Sequence, residues 1–497
     1  MRHAILVRGT AMPCRPWPRT LLEPADFQAL AGDPTLDLLS LFAEVGDVHA
    51  AYLDTVSGEA FLASARARDR RYPALSPLRP SAVLFERMIH DLWGLSAEGA
   101  VDSRPWLDHG SWGQVAPMTR QPAGLIAPAP PMEFLPIEGQ GWHQIPVGPI
   151  HAGIIEPGHF RFTVQGEMVV RLEARLGYTH KGTLLLMQGK SPRTAARFAA
   201  RLSGDTTVAH ALAFALAAEA ATGSAAPPRA IALRAVMLEL ERVANHLNDI
   251  GFLCNDAAFA FPHAETGRLR EGLLRANHAA FGHRLMMDRV IPGGLGPDLA
   301  PGGEAVLLSA LGEISAAWPG LARIIEDHAS LQDRLVGTGV LAPELAARFA
   351  AGGFVGRASG RGFDARRALP HAPYDLLAPA TPLFTEGDVD ARLRVRQAEL
   401  LESLRLLRHL LASLPDGPVH APLQPGGGEG VGIVEGFRGE IVTWMALDDG
   451  GLIRAVFPRD PSWLQWPLLE AAVMGNIVAD FPLCNKSFNC SYSGVDL

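Results

Sequence analysis

The sequence predicts an α+β fold: a β-hairpin, then several long helices, then a second strand region. Three observations carry this. Phe160, Phe162 and Val164 alternate with polar neighbours, Met168, Val170 and Leu172 do so in part, and Gln165-Gly166 between them supplies the turn. Apolar residues at 233, 236, 237, 240, 243, 247 and 250 recur at the helical period. Residues 431–458 return to strand patterning around Asp448-Asp449-Gly450-Gly451, a hairpin turn.

Along the chain, residues 1–115 mix short apolar runs with Pro and Arg. Residues 117–145, with Gln121-Pro122-Ala123-Gly124 and Pro128-Ala129-Pro130-Pro131, are poor in charge and read as a linker. After the hairpin, the chain turns helical from residue 190. Asp205 is placed to cap a helix that runs to about Thr222 and stops at Gly223. Residues 230–250, 268–290, 304–335 and 388–414 read as further long helices, the last between Gly387-Asp388 and Pro415. Helices in such succession pack as a bundle. No internal repeat is visible.

A chain of 497 residues divides into two or three domains. Its 48% hydrophobic and 19% charged content suits a globular protein with a large core. A formal charge of −8 argues against nucleic acid or an anionic membrane surface as the main partner. Four cysteines (Cys14, Cys254, Cys484 and Cys490) make no disulfide framework and fit a reducing compartment. The apolar run after Met1 is too short for a signal peptide. No uncharged apolar stretch reaches the roughly 20 residues of a spanning helix. The best candidate, 208–221, is interrupted by His210 and Glu219. The expectation is a chain without a transmembrane helix, meeting a membrane only through other proteins.

Several blocks then carry a resemblance. Gly148-Pro149-Ile150-His151, followed by Glu156-Pro157-Gly158-His159-Phe160-Arg161, is similar to the first motif of the large subunit of membrane-bound, energy-converting (group 4) NiFe-hydrogenases. Gly177-Tyr178-Thr179-His180-Lys181-Gly182 resembles the next family segment, with Lys181 where Arg is usual. Glu239-Leu240-Glu241-Arg242-Val243-Ala244-Asn245-His246-Leu247 resembles the long helix that follows. Arg357-Ala358-Ser359-Gly360, Asp364-Ala365-Arg366, Tyr374-Asp375 and Gly387-Asp388-Val389-Asp390-Ala391-Arg392 match later blocks. Related blocks occur in the quinone-site subunit of respiratory complex I. Upstream, residues 85–95 (Phe85-Glu86-Arg87-Met88 onward) and Arg104-Pro105 resemble complex I's small peripheral-arm subunit. The resemblance covers roughly residues 80–497, and its order and spacing exceed what one short motif supplies. It implies a small N-terminal α/β domain over 1–116, a linker over 117–145, and a hydrogenase large-subunit-like domain over 146–497.

The family's nickel sits on four thiolates in two CxxC pairs, a soft-ligand set. Matched position by position, those cysteines fall on Ser203, Thr206, Ser491 and Gly494. A hydroxyl is a poor ligand for a soft metal, and glycine has no side chain. The expectation is therefore that the chain holds no nickel. Cys484 and Cys490 lack CxxC spacing and read as packing residues, with metal binding alongside His210 or His159 as the alternative. The quinone-binding His and Tyr of complex I fall on Ile155 and Gly204, so quinone reduction loses its family support.

What survives is a polar frame of Glu156, His159, His180, Asp205, His210, Arg357 and Asp364. Its residue types suit a proton-handling or ligand-binding cleft. Each also has a plain structural role open to it: Asp205 as a helix cap, His210 as a core histidine, and Glu239, Glu241 and Arg242 as helix-surface pairs. No Gly-rich dinucleotide fingerprint and no cysteine cluster for an iron–sulfur site are present. The resemblance implies a nickel-free subunit of a membrane-associated oxidoreductase, peripheral on the cytoplasmic face of the inner membrane. Its partners would be a small iron–sulfur subunit, which carries the cluster, and antiporter-like membrane subunits, with quinone as a candidate ligand. The alternatives are a non-catalytic scaffold in the same complex and an active hydrogenase, which the four substitutions oppose.

Overall fold

The computed structural model describes residues 2–119, the backbone of 123–124, and residues 132–497. Part of the predicted linker, Gln121-Pro122 and Pro128–Pro131, lies outside the described residues. The linker's far end is a strand instead. Trp142–Val147 pairs antiparallel with His159–Gln165, which pairs in turn with Met168–Arg175. Pro146 is tolerated there because this strand is at the sheet's edge, where one row of N–H groups has no ladder partner. Gly166, at φ +62°, makes the hairpin turn as expected.

The N-terminal unit is a mixed five-stranded sheet in the order Thr10–Met12, Arg19–Leu22, Ala60–Arg66, Asp47–Asp54, Leu36–Glu44. The helices Pro24–Ala31 and Val83–Trp93 pack on it. Nearly every residue of Leu36–Glu44 is buried, so this strand is covered on both faces. Its second cover is a C-terminal sheet of Gly428–Gly436, Gly439–Leu447 and Ile453–Arg459. Phe42 stacks on Phe457 at 5.2 Å and meets Trp444 at 5.0 Å. One hydrophobic core therefore runs from the first sheet into the last.

Beside these sheets lies the helix bundle, with a second hydrophobic core of its own. Pro228–Asp256 packs against Ala260–Phe281 and Val389–Ala412, and Gly303–Glu326 packs on Ala260–Phe281. Two predicted helices are corrected. The one expected over 268–290 begins at Ala260 and ends at Phe281, because Gly282 takes the left-handed cap conformation at φ +74°. The one expected over 304–335 breaks after Glu326, and His328 starts a second helix, Ala329–Leu335, by accepting the Leu331 N–H at 3.1 Å. Gly303–Glu326 is, among the described residues, the one helix long and apolar enough to cross a membrane. Leu307, Leu311, Ile314, Trp318, Leu321 and Ile325 form a buried stripe along it.

Candidate functional site

The segments 201–210 and 487–494 converge. Ser203 lies in the turn before the helix Thr207–Thr222, and Ser491 in the final turn of the chain. Their hydroxyls meet at 2.9 Å across 288 residues of sequence. Ser491 Oγ also accepts the Gly494 N–H at 2.9 Å. Thr206 Oγ1 takes an Arg438 N–H at 2.8 Å and donates to Asp205 at 2.8 Å. All four positions that the resemblance assigns to thiolates thus share one cluster.

The cluster is filled by the protein itself. Arg438, at the tight turn between two strands of the C-terminal sheet, forks onto Asp205 at 2.7 and 2.5 Å. Burial works against the Asp205 anion, but the Arg438 charge and hydrogen bonds hold its carboxyl far below the usual range. His210 Nε2 lies 2.9 Å from Asp460 Oδ2, and Asp460 Oδ1 accepts the Ser462 N–H at 2.8 Å. Despite burial, His210 and Arg438 keep the Asp460 carboxyl below its ordinary value. A Cβ on Gly494 would stand 2.8 Å from Asp460 Cγ and 2.9 Å from both Asp460 Oδ2 and Ser491 Oγ. The Asp460 carboxylate therefore takes the space that a side chain at 494 needs.

These residues do not fit a four-thiolate nickel centre. Two serines and a threonine supply neutral hydroxyls, each already hydrogen-bonded, and a carboxylate crowds the fourth position. Among the described residues, no group of three or more His, Cys, Asp or Glu has the arrangement of a metal site. Cys484 and Cys490 are buried, and burial pushes the Cys484 thiol up to about 12 and Cys490 higher still. Both are protonated packing residues.

The rest of the predicted frame is dispersed. Glu156 Oε2 accepts the Ser493 N–H at 2.9 Å, and His180 Nδ1 lies 2.5 Å from the Asp496 carbonyl, so both clamp the last turn of the chain. His159 stands on the hairpin beside Phe134 and Arg161, where burial and the neighbouring arginines lower its pKa. Ile155 is exposed, and a side chain at Gly204 would meet nothing within 4 Å.

Arg357 and Asp364 do not reach the cluster. They belong to a separate buried ion network behind the helix Pro228–Asp256. Arg357 binds Glu399 at 2.7 Å and Glu435 at 2.9 Å, while Arg366 binds Asp364 at 2.7 Å and Glu239 at 3.0 Å. His246 meets Glu399 at 2.9 Å, and Tyr374 donates to Glu239 at 2.7 Å. Glu239, Glu241 and Arg242 are therefore core residues, not helix-surface pairs. Asp205 is not a cap either. Glu241 caps the helix Thr207–Thr222 from outside, accepting the N–H groups of Val208 at 2.7 Å and Ala209 at 3.1 Å.

Sequence reasoning missed Asp460, Arg438, Glu399 and Glu435. Their signal was charge inside otherwise apolar strand and helix runs, as in Glu435-Gly436-Phe437-Arg438-Gly439-Glu440 and Arg459-Asp460-Pro461-Ser462.

The family described as respiratory-chain NADH dehydrogenase, 49 Kd subunit, matches residues 260–425. Hydrogenase-4 component G of Escherichia coli (strain K12) is 30% identical over 447 residues, covering 86% of this chain and 76% of that protein. The chain belongs to this family of 49 Kd-type and hydrogenase subunits. Within it, the carbon monoxide-induced hydrogenase of Rhodospirillum rubrum is 30% identical over 70% of this chain and 97% of its own length. An NADH-quinone oxidoreductase subunit of Roseiflexus sp. (strain RS-1) is 31% identical over 71% of this chain and 98% of its own length. The family thus includes both hydrogenase and quinone-oxidoreductase subunits, the two kinds the motifs resemble.

Proposed function

We propose that this chain is a nickel-free, hydrogenase-like subunit of a membrane-associated oxidoreductase complex related to complex I. One observation carries the reading. The positions matched to the family's thiolates come together, but as Ser203, Thr206, Ser491 and Gly494, closed over by the Asp460–His210 and Arg438–Asp205 pairs. The frame of the site is kept and its soft donors are gone.

The chain's part in the complex is then docking and support. Ile150, Ile154, Ile155 and Tyr178 on loops, and Leu185 and Leu186 on the short helix Thr183–Met187, are exposed beside the final turn, an apolar presentation that suits a protein partner. The family resemblance makes that partner a small iron–sulfur subunit, which carries the cluster, with antiporter-like subunits in the membrane beneath. The whole would be peripheral on the cytoplasmic face. The scaffold form of this reading is favoured over a quinone or proton cleft by one observation: Arg357 and Asp364 are consumed in buried ion pairs.

Metal analysis and hydrogen uptake on the purified complex test this. The expected result is iron and sulfide from the partner, nickel well below one per complex, and no hydrogen turnover. Stoichiometric nickel with hydrogen uptake would overturn it.

A further inference from the structure

A cavity of about 870 Å³ opens on the other side of the helix Thr207–Thr222, far in sequence from the final turn. It lies where the N-terminal unit meets the bundle, and its size is that of small-molecule sites, which favour such junctions. Its walls are mostly carbon, from Trp17, Leu212, Leu216, Ile231, Val431 and Ile433.

The few polar groups settle which ligand suits it. Glu219 is the one carboxylate among the lining residues, and Arg234 neutralises it through a double contact at 2.6 and 3.1 Å. Glu219 also accepts the Gly293 N–H at 2.8 Å. His371 is held neutral, because burial and Arg234 lower its pKa against the Ala372 carbonyl, Asp375 and Glu219. Arg15 is different. It donates to the Ala221 carbonyl at 2.7 Å and, among the described residues, pairs with no carboxylate. Its backbone is pinned to the neighbouring strand by the Arg15 N–Glu429 O bond at 3.1 Å and the Val431 N–Arg15 O bond at 2.8 Å. The lining therefore carries one uncompensated positive charge at a fixed place beside an apolar chamber.

We infer that this cavity binds an amphipathic carboxylate, its apolar body against Leu212, Leu216 and Val431 and its head on the Arg15 guanidinium. A planar guanidinium fork matches a carboxylate in geometry as well as charge. A carbon-lined chamber of this volume accommodates an acyl chain or fused rings.

The test uses the full chain and two fluorescent probes differing only in charge, cis-parinaric acid and its methyl ester. The acid is expected to bind about tenfold or more tighter than the ester, the worth of one charge-assisted contact. Arg15→Gln, at an exposed position that leaves the fold intact, should bring the acid down to the ester's affinity without moving the ester. Ala220→Trp, which fills the chamber, should abolish both, with circular dichroism confirming the fold. Equal binding of acid and ester to the native chain, or acid binding unchanged in Arg15→Gln, would sink the idea whatever the Trp variant does. Neither outcome bears on the nickel-free reading, since the two sites share no residue.

Discussion

Ser203 and Ser491 differ from cysteine by one atom each, yet the chemistry they support is different. A thiolate is a soft anion, whereas these hydroxyls stay protonated and bind each other at 2.9 Å. At this scale the informative residues are the charged ones sealed behind them. Arg357 is fully buried between Glu399 and Glu435. Removing one partner of such a network strands the others, so Arg357→Ala should lower unfolding stability by about 3–5 kcal/mol. Urea denaturation of the isolated chain reads this directly. A variant that keeps native stability while the assembled complex loses activity would instead make Arg357 a working cleft residue. The sequence placed Arg357 and Asp364 among the candidate cleft residues with a structural role open to each, and the fold puts both in buried ion pairs. Residue type alone does not tell a buried ion pair from a proton carrier.

Elements meet here through backbone proximity as much as through side chains. On the strand Gly428–Gly436, Gly430 and Gly432 face the helix Thr207–Thr222, whose alanines 213, 217 and 221 recur every four residues. A Cβ at Gly432 would stand 2.8 Å from Ala217 N and 2.9 Å from Leu216 Cβ, closer than packed atoms come. Gly432→Ala should therefore cost about 1–3 kcal/mol, by pushing strand and helix apart. Calorimetry checks it, with Gly450→Ala on the exposed hairpin turn as the quiet control. At this level much was legible. The hairpin at Gln165-Gly166, the long helices and the turn at 448–451 follow from period and turn residues. The helix ends at Phe281 and Glu326 were overrun because apolar spacing continues past them. The Glu241 cap was invisible because its acceptor comes from another helix.

For the molecule as a whole, the junction of the first and last sheets is the feature that local sequence could not reveal, since its partners lie some 400 positions apart. His49 sits there with 1% exposure, between Phe42 at 5.3 Å and Trp444 at 5.2 Å, with Nδ1 2.8 Å from Ser64 Oγ. Burial, with Arg19 and Arg454 nearby, pushes its pKa from 6.5 down to about 3. The folded chain therefore keeps His49 neutral where the unfolded chain binds a proton. Below pH 6.5 the unfolded state holds more protons, so stability falls as the pH drops from 6.5 toward 3. By pH 5 this single group removes about 2 kcal/mol. His49→Phe keeps an aromatic ring in the stack but cannot titrate. It should be less stable than the native chain at pH 7.5, where the Ser64 hydrogen bond is lost, and should close that gap or reverse it by pH 5. Unfolding curves of both proteins at the two pH values decide this, because titrations common to both cancel in the difference. A gap that stays constant with pH would mean that His49 does not hold the two sheets together as a neutral ring.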